Sequence, residues 1–168
     1  PLCLVGSEMC IRDSFRTFLK LSPPLRTEED RLSLIEAINK NLIDVIVSDH
    51  KPEDEESKRL TFTQAATGAS GIETLLPLSL ELFHNGSVKL YRIIELLTSN
   101  PAKILKINKG NLSIGNDADF CIVDVNKPWI VKKEKMISKS KNTCIENKKL
   151  QGKVLCTYIN GNELFNLK

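Results

Sequence analysis

The first half of the chain alternates between two spacings of apolar residues. Residues 15–21 alternate apolar and polar side chains, as a short strand does, and residues 43–48 form a mostly β-branched run around Asp44. Because that run is almost continuously apolar, it predicts a strand buried on both faces, of the kind found in parallel sheets. Between the two runs, apolar residues recur at the spacing of one helix face: Leu32, Ile35, Ile38 and Leu42. The order strand, helix, strand predicts a βαβ unit with parallel strands and a right-handed crossover.

Local signals predict where four helices begin. Thr27 and Asp30 form a variant of the capping box, so the first helix should start there. A second helix is expected over residues 72–83, ending before an Asn-Gly pair. Ser87 is in position to cap a third helix, and Asn100-Pro101 should start a short fourth helix with proline as its first residue.

The chain changes character near residue 107, where glycines and short apolar runs replace the helical spacing. Residues 119–125 and 153–159 read as strands, and Asn160-Gly161 is a strong signal for a two-residue hairpin turn. We therefore expect a domain boundary here, with an α/β part over residues 15–106 and a separate small β module over 107–168.

The first fourteen residues fit neither pattern. Residues 1–14 begin with Pro1 rather than Met and lack the basic start and apolar core of a signal peptide. They resemble a translated adapter sequence, so we expect a non-native leader, with the protein's own sequence beginning near Phe15.

Composition narrows the possible function classes. The 168 residues are 41% hydrophobic and 27% charged, with a formal net charge of +3. That charge is small, and the lysine-rich stretches lack interleaved aromatic residues, so we expect no nucleic-acid partner. No apolar run reaches the roughly 18 residues that a membrane span needs, so no membrane partner is expected either. The five cysteines are odd in number and form no C-x-x-C pair, which favours reduced thiols in a cytoplasmic protein.

The most informative pair is Asp49-His50, which ends the apolar run at residues 43–48. The carboxyl end of a strand is where α/β barrels place their chemistry, although an aspartate there is often only a turn-former or a cap. The acidic residues that follow lack the glycine and alternating oxygen ligands of an EF-hand loop. A self-contained zinc site lacks ligands, because the chain has two histidines, on different elements, and no cysteine pair.

Gly68 and Gly71 lie just before the second predicted helix. Free backbone N–H groups at such a position bind anionic groups, and the alternative is an ordinary tight turn. The sequence alone does not choose between these two interpretations.

Seven motifs carry a resemblance to a known family. They are S-P-P-L-R at 22–26, I-D-V-I-V-S-D-H-K-P at 43–52, G-A-S-G-I-E-T-L-L-P-L at 68–78, N-P-A-K-I-L at 100–105, G-N-D-A-D-F at 115–120, S-K-S-K-N-T at 138–143 and G-K-V-L-C-T-Y-I-N-G at 152–161. In this order and spacing they resemble the last third of bacterial dihydroorotase, a cyclic amidohydrolase of the amidohydrolase superfamily. The resemblance covers residues 15–165, and its closing motifs separate dihydroorotase from most other cyclic amidohydrolases.

The resemblance implies both a fold and a reaction. The fold is α/β: the C-terminal part of a TIM (β/α)8 barrel, followed by part of a small β-sandwich built from both chain ends. The family uses a metal centre, usually zinc, for the reversible cyclisation of N-carbamoyl-L-aspartate to dihydroorotate in pyrimidine biosynthesis. By resemblance, Asp49 is both a metal ligand and the proton shuttle. The other ligands, an H-x-H pair, a modified lysine and further histidines, belong to upstream strands, so the chain alone is expected to be inactive and prone to associate.

The resemblance also assigns four substrate-binding positions, three of which depart from the family pattern. Ser22 stands in place of asparagine, Glu53 in place of a histidine that contacts the substrate carboxylate, and Thr67 in place of phenylalanine before Gly68. Glu53 places a negative charge where an anion should bind, so a non-catalytic subunit that scaffolds aspartate carbamoyltransferase stays open as an alternative. Another cyclic amidohydrolase, such as a hydantoinase or allantoinase, is a third. The expected partners are the small-molecule substrate and either further copies of the chain or aspartate carbamoyltransferase.

Overall fold

Helix α1, Glu28–Asn39, begins at the capping box that the sequence predicts. In the computed structural model, which describes residues 16–167, the Thr27 hydroxyl accepts the Asp30 N–H at 3.2 Å. The Asp30 carboxylate in turn accepts the Thr27 N–H at 3.2 Å, so two otherwise unpaired donors are satisfied reciprocally. Ile35 and Ile38 point inwards from the helix and are buried. The predicted helix is confirmed, with its start at the predicted cap.

The two segments that flank α1 differ from the predicted strands. Thr17–Leu19 forms a 3₁₀ turn where a strand was expected, and Phe15 lies outside the described residues. Residues 43–48 have no hydrogen-bonded partner strand in the described part of the chain. The predicted pair of parallel strands therefore does not form there, because a β-ladder needs a neighbour to receive its N–H and C=O groups.

The apolar run at residues 43–48 is also only partly covered by the described residues. Ile46 is buried, and its N–H donates to the Leu96 carbonyl at 3.1 Å. Val47 is 61% exposed and Leu42 is 71% exposed. Ile43 and Val45 are half-buried. The prediction of burial on both faces is therefore wrong for the described residues, because the face that carries Ile43, Val45 and Val47 is only partly covered.

Three helices follow in quick succession. Helix α3, Leu75–His84, follows a 3₁₀ turn at Ile72–Thr74, so the predicted helix is present with a tighter first turn. Helix α4, Leu90–Leu97, has Lys89 as its N-cap instead of the predicted Ser87. Helix α5, Ser99–Leu105, starts two residues earlier than predicted, which makes proline its third residue. Proline is accommodated there because the N–H groups of the first turn have no acceptor within the helix.

The late start of α4 has a local cause. Val88 is buried, and its N–H donates to the Leu82 carbonyl at 2.9 Å. The Ser87 N–H donates to the Asn85 side chain at 3.0 Å, which holds residues 85–88 in a turn. The helix therefore begins only after Val88 has been placed in the core. That core joins α1, α3, α4 and the 43–48 run through Ile35, Ile38, Ile46, Leu82, Val88, Ile93 and Leu96.

The C-terminal part forms one antiparallel sheet. Strands β1, Phe120–Ile130, β2, Lys149–Ile159, and β3, Asn162–Asn166, lie in the order β1-β2-β3. The predicted hairpin turn between β2 and β3 is confirmed, since Asn160 and Gly161 have φ of 50° and 76°. Both longer strands extend beyond their predicted ranges, and the β1–β2 register shifts where the strands bulge.

The sheet packs directly against α3. Leu78 of α3 forms a second core cluster with Val131 and Leu150. Gly152 of β2 has φ of +103°, and a Cβ added there would lie 2.4 Å from Leu80 Cδ1. Glycine at this position thus lets the strand approach the helix closely.

A short helix, α2, occupies the loop after Asp49. It covers Glu55–Lys58, and the Asp54 carboxylate caps it by accepting the Ser57 N–H at 2.8 Å. The sequence predicted only a polar loop there. Among the described residues, no helix is both long and apolar enough to cross a membrane.

Candidate active site

Asp49 ends the apolar run in an unusual backbone conformation. Its φ is +47°, the left-handed region that non-glycine residues enter rarely, although aspartate does so more often than most. Its side chain is exposed, and its carboxylate forms no hydrogen bond or ion pair with any residue from 16 to 167. Such strained residues concentrate at functional sites. The carboxylate is thus left available for a ligand or a proton.

His50 anchors the loop that precedes α3. Its Nδ1 accepts the Gly71 N–H at 3.1 Å and the Ile72 N–H at 3.3 Å. Nδ1 therefore carries no proton, and the neutral ring holds its proton on Nε2. The sequence grouped His50 with Asp49 but did not predict this contact, because Gly71 is more than twenty residues away.

The glycine loop at residues 67–71 is a packed turn. The Gly68 N–H donates to the Lys20 carbonyl at 3.1 Å, and the Ser70 N–H donates to the Asn142 carbonyl at 2.9 Å. Together with the two N–H groups bound to His50, four amides at this loop are already paired. This pairing favours the tight-turn interpretation over an anion site built from free N–H groups.

Gly68 lies where several segments meet. Its φ is +143°, and an added Cβ would lie 2.6 Å from the Lys51 carbonyl oxygen. Its own carbonyl accepts from Lys58 Nζ at 2.9 Å and from Asn142 Nδ2 at 3.4 Å. Gly68 is thus in contact with the loop that follows Asp49, while its N–H reaches the segment that leads to Ser22.

The other proposed substrate-binding positions surround this loop. Ser22 is exposed and precedes a cis peptide bond to Pro23. Thr67 is half-buried beside Gly68. Glu53 is half-buried, and its carboxylate lies 3.7 Å from Lys51 Nζ. The negative charge that the sequence placed at Glu53 is therefore partly offset by a neighbouring lysine.

The S-K-S-K-N-T motif and the preceding Ile137 form a strap, residues 137–143, across the glycine loop and the loop that follows Asp49. Asn142 Oδ1 accepts the Glu53 N–H at 3.3 Å and the Ser70 hydroxyl at 3.2 Å. The Ser140 hydroxyl donates to the Glu53 carbonyl, and the N–H groups of residues 137 and 138 donate to the Glu73 carboxylate. The strap thus joins Glu53 to the glycine loop. In the sequence this motif served only as a family signature. Its Ser138, Ser140 and Asn142 alternate along the chain, however, and such alternation places side chains on one side of an extended segment.

Lys58 lies beneath the same loop and has no exposed surface. Its ammonium donates to the carbonyls of Lys20 at 3.1 Å, Ala66 at 2.9 Å and Gly68 at 2.9 Å. Burial lowers the pKa of Lys58, because the charged form loses its hydration. The three carbonyl oxygens stabilise the buried ammonium group by accepting its hydrogen bonds.

Metal ligands are incomplete within the described part of the chain. No group of three His, Cys, Asp or Glu side chains among residues 16–167 is arranged to hold a metal ion. Asp49 fits such a site as a single carboxylate ligand, since carboxylate oxygen is an ordinary zinc donor and this one has no protein partner. Any further ligands would have to come from residues outside this range.

Solved structures share this fold. The L-hydantoinase (dihydropyrimidinase) from Arthrobacter aurescens superposes with a TM-score of 0.85 at 30% identity, over 94% of this chain and 36% of that chain. The dihydropyrimidinase from Brevibacillus agri gives a TM-score of 0.82 at 22% identity, over 89% of this chain and 34% of that one. The chain is therefore a mixed α/β protein that shares its fold with these cyclic amidohydrolases.

Sequence comparison makes the assignment more specific. The amidohydrolase family profile matches residues 8–164, and the chain belongs to the amidohydrolase family. It is 45% identical over 145 residues to the dihydroorotase of Ehrlichia canis, covering 86% of this chain and 32% of that protein. It is 41% identical over 146 residues to the dihydroorotase of Aquifex aeolicus, covering 87% of this chain and 34% of that protein. The chain spans about a third of the length of these relatives.

Proposed function

We propose that this chain is the C-terminal third of a dihydroorotase, a metal-dependent enzyme that interconverts N-carbamoyl-L-aspartate and dihydroorotate in pyrimidine biosynthesis. Relatives named dihydroorotase at 41–45% identity support the reaction. The single structural observation that carries the proposal is Asp49, whose unpaired carboxylate follows the apolar run in a left-handed conformation.

Asp49 would move the proton in this reaction. When the dihydroorotate ring opens, water attacks the amide carbonyl carbon, and an Asp49 oxygen takes the proton from that water. The C–N bond then breaks, and Asp49 returns the proton to the leaving nitrogen. Ring closure follows the same steps in reverse. A bound zinc ion would polarise the carbonyl and make the water more acidic.

The proposed architecture is the end of a TIM barrel, residues 15–106, and part of a β-sandwich domain, residues 107–168. Exposed apolar side chains support it, because Leu42, Val47 and Ile72 each leave more than half of their surface uncovered. A folded protein seldom leaves many large apolar side chains exposed next to its core. The missing barrel strands would cover this surface and pair with residues 43–48.

The proposed substrate contacts are Ser22, Glu53, Thr67 and Gly68. Hydrogen bonds support this proposal, because the segments that carry these residues meet around Gly68 and Lys58. We further propose a cytoplasmic enzyme with one or two zinc ions that forms homo-oligomers or associates with aspartate carbamoyltransferase.

Two alternative functions have an observation of their own. Glu53 retains a carboxylate in the site loop, which favours a non-catalytic subunit that scaffolds aspartate carbamoyltransferase. The superposition on L-hydantoinase, at 30% identity, favours hydantoin as the substrate. An H-x-H motif after the first barrel strand of the full-length protein would support an enzyme over a scaffold.

The test replaces Asp49 in the full-length protein that contains this segment. Asp49→Asn keeps the shape of the side chain but removes the base, so turnover should fall on the order of 10²–10⁴-fold. Metal content is measured in parallel and should also fall. Asp44→Asn is the matched control, because Asp44 is an exposed aspartate five residues earlier whose side chain has no described partner.

Three outcomes would contradict the proposal. Unchanged turnover and metal content in Asp49→Asn would remove Asp49 from the reaction. A wild-type protein that turns over neither substrate but binds aspartate carbamoyltransferase would be the scaffold. Faster turnover of hydantoin than of dihydroorotate would make the protein a hydantoinase.

A further inference from the structure

Lys58 is buried in an unusual way. Fully buried lysines are rare unless a carboxylate pairs with them, because an unpaired buried charge is costly. Lys58 has no exposed surface, and no carboxylate in the described part of the chain lies within ion-pair distance of it. Its charge is held only by backbone carbonyl groups, so its contacts serve to order backbone.

The number of contacts matches the number of donors. A lysine ammonium has three N–H donors and no acceptor, and Lys58 uses all three on the carbonyls of Lys20, Ala66 and Gly68. With every proton engaged, the nitrogen has no lone pair to act as a nucleophile or base. The geometry therefore assigns Lys58 to orientation rather than chemistry.

The three carbonyls belong to the two segments that carry the proposed substrate contacts. Lys20 is two residues before Ser22, whereas Ala66 and Gly68 flank Thr67. The Gly68 N–H also donates to the Lys20 carbonyl, so one carbonyl joins the two segments and receives Lys58 as well. A shift of Lys58 would move both segments.

A second ammonium group reinforces this arrangement. Lys20 Nζ donates to the Thr63 carbonyl at 3.1 Å and to the Ala65 carbonyl at 2.8 Å. Residues 61–68 contain no helix or strand, and the carbonyls of residues 63, 65, 66 and 68 accept from lysines where a regular element would use backbone N–H groups. The shape of this loop thus depends on the two lysine side chains.

We propose that Lys58 is a positioning residue for substrate binding, which fixes the segments carrying Ser22, Thr67 and Gly68 relative to each other. This inference rests on the proposed dihydroorotase function for its substrate. Asp49 forms no hydrogen bond with Lys58 or with the segments that Lys58 holds, so binding of N-carbamoyl-aspartate should weaken more than the proton transfer slows.

The test compares Lys58→Met with Lys40→Met in the full-length protein. Methionine keeps the apolar stem and removes the ammonium, while Lys40 is an exposed lysine paired with Glu36 and is the matched control. Lys58→Met should lower kcat/KM for N-carbamoyl-aspartate on the order of 10- to 100-fold, mainly through KM, since small displacements of binding groups have effects of that size. Zinc content should stay unchanged. Lys40→Met should match the wild type.

Hydrogen exchange followed by mass spectrometry provides a readout that does not depend on activity. Lys58→Met should speed amide exchange in peptides covering residues 17–22 and 61–71, but not in α1. If Lys58→Met fails to fold, Lys58→Gln, which keeps two N–H donors, should give the same pattern with a smaller rise in KM.

The outcomes separate this inference from the proposed function. A wild-type protein without turnover refutes the proposed function, and hydrogen exchange alone then decides whether Lys58 orders the loops. If Lys58→Met lowered kcat by the same factor as it raised KM, and amide exchange became faster throughout the protein, Lys58 would stabilise the whole protein rather than position these two segments. If Lys58→Met had the same KM as Lys40→Met and the same amide exchange rates in residues 17–22 and 61–71, the inference would be overturned.

Discussion

Gly68→Ala tests whether the glycine loop is as rigid as its contacts indicate. The added Cβ would lie 2.6 Å from the Lys51 carbonyl oxygen and 3.0 Å from Lys51 Cβ. The first distance is about 1 Å shorter than an ordinary van der Waals contact. Because the nearest atom belongs to the backbone, a side-chain rotation cannot relieve the clash. The Lys51 N–H also donates to the Ala69 carbonyl at 3.1 Å, which ties the clashing residue to the same loop.

The expected cost follows from three contributions. A non-glycine residue at this φ costs roughly 1–3 kcal/mol, and overpacking costs about 1–3 kcal/mol. Weakening the Lys51–Ala69 hydrogen bond adds about 1 kcal/mol. We therefore expect Gly68→Ala to lower the free energy of unfolding of the full-length protein by about 3–7 kcal/mol.

Gly86→Ala is the matched control. Gly86 has φ of +74°, but a Cβ there meets nothing within 4 Å, so only the backbone contribution of about 1–2 kcal/mol applies. Urea unfolding, followed by circular dichroism, measures both variants against the wild type. Equal losses for Gly68→Ala and Gly86→Ala would refute the reasoning, because they would show that the loop moves away from the added methyl group at no cost.

Three further predictions concern the thiols, the charge at Glu53 and the segment alone. Desolvation raises the pKa of half-buried Cys144 to about 11, so at pH 8 iodoacetamide should label exposed Cys121 more than Cys144, as measured by peptide mapping; equal labelling would contradict the raised pKa. Glu53→His should lower KM for N-carbamoyl-aspartate by restoring a donor to the substrate carboxylate, with Glu56→His as the exposed control; an unchanged KM would remove Glu53 from the binding site. Residues 16–167 expressed alone should elute from gel filtration as an oligomer or aggregate and should not cyclise N-carbamoyl-aspartate. A soluble monomer with turnover would contradict the proposal that barrel strands and metal ligands outside these residues are needed.

Short-range signals were the part of the fold that the sequence could predict. The Thr27–Asp30 capping box and the Asn160-Gly161 turn both form as predicted, because each depends on residues within three positions of one another. Ser87 shows the limit of this approach. Its residue type suits an N-cap, but burial of Val88 delays the helix, and that burial depends on packing against other helices.

Long-range contacts explain what sequence analysis missed in the site. Asp49 and Gly68 were identified from motifs, yet the roles of His50, Lys58 and Asn142 depend on partners up to 89 residues away. A buried lysine also looks like any other charged residue in a polar loop, since its burial is visible only in three dimensions. The apolar run at residues 43–48 lacks its predicted parallel partner for a related reason, because a strand is defined by neighbours that the pattern itself does not contain.

The strap at residues 137–143 has a consequence for how the protein is made. Glu53 and Ser70 lie near the middle of this chain, but Asn142, which joins them, is synthesised more than seventy residues after Ser70. During translation, the loops that carry the proposed substrate contacts must wait for the C-terminal part before they reach their final arrangement. A ribosome stalled before residue 138 would therefore carry both loops without the side chain that joins them.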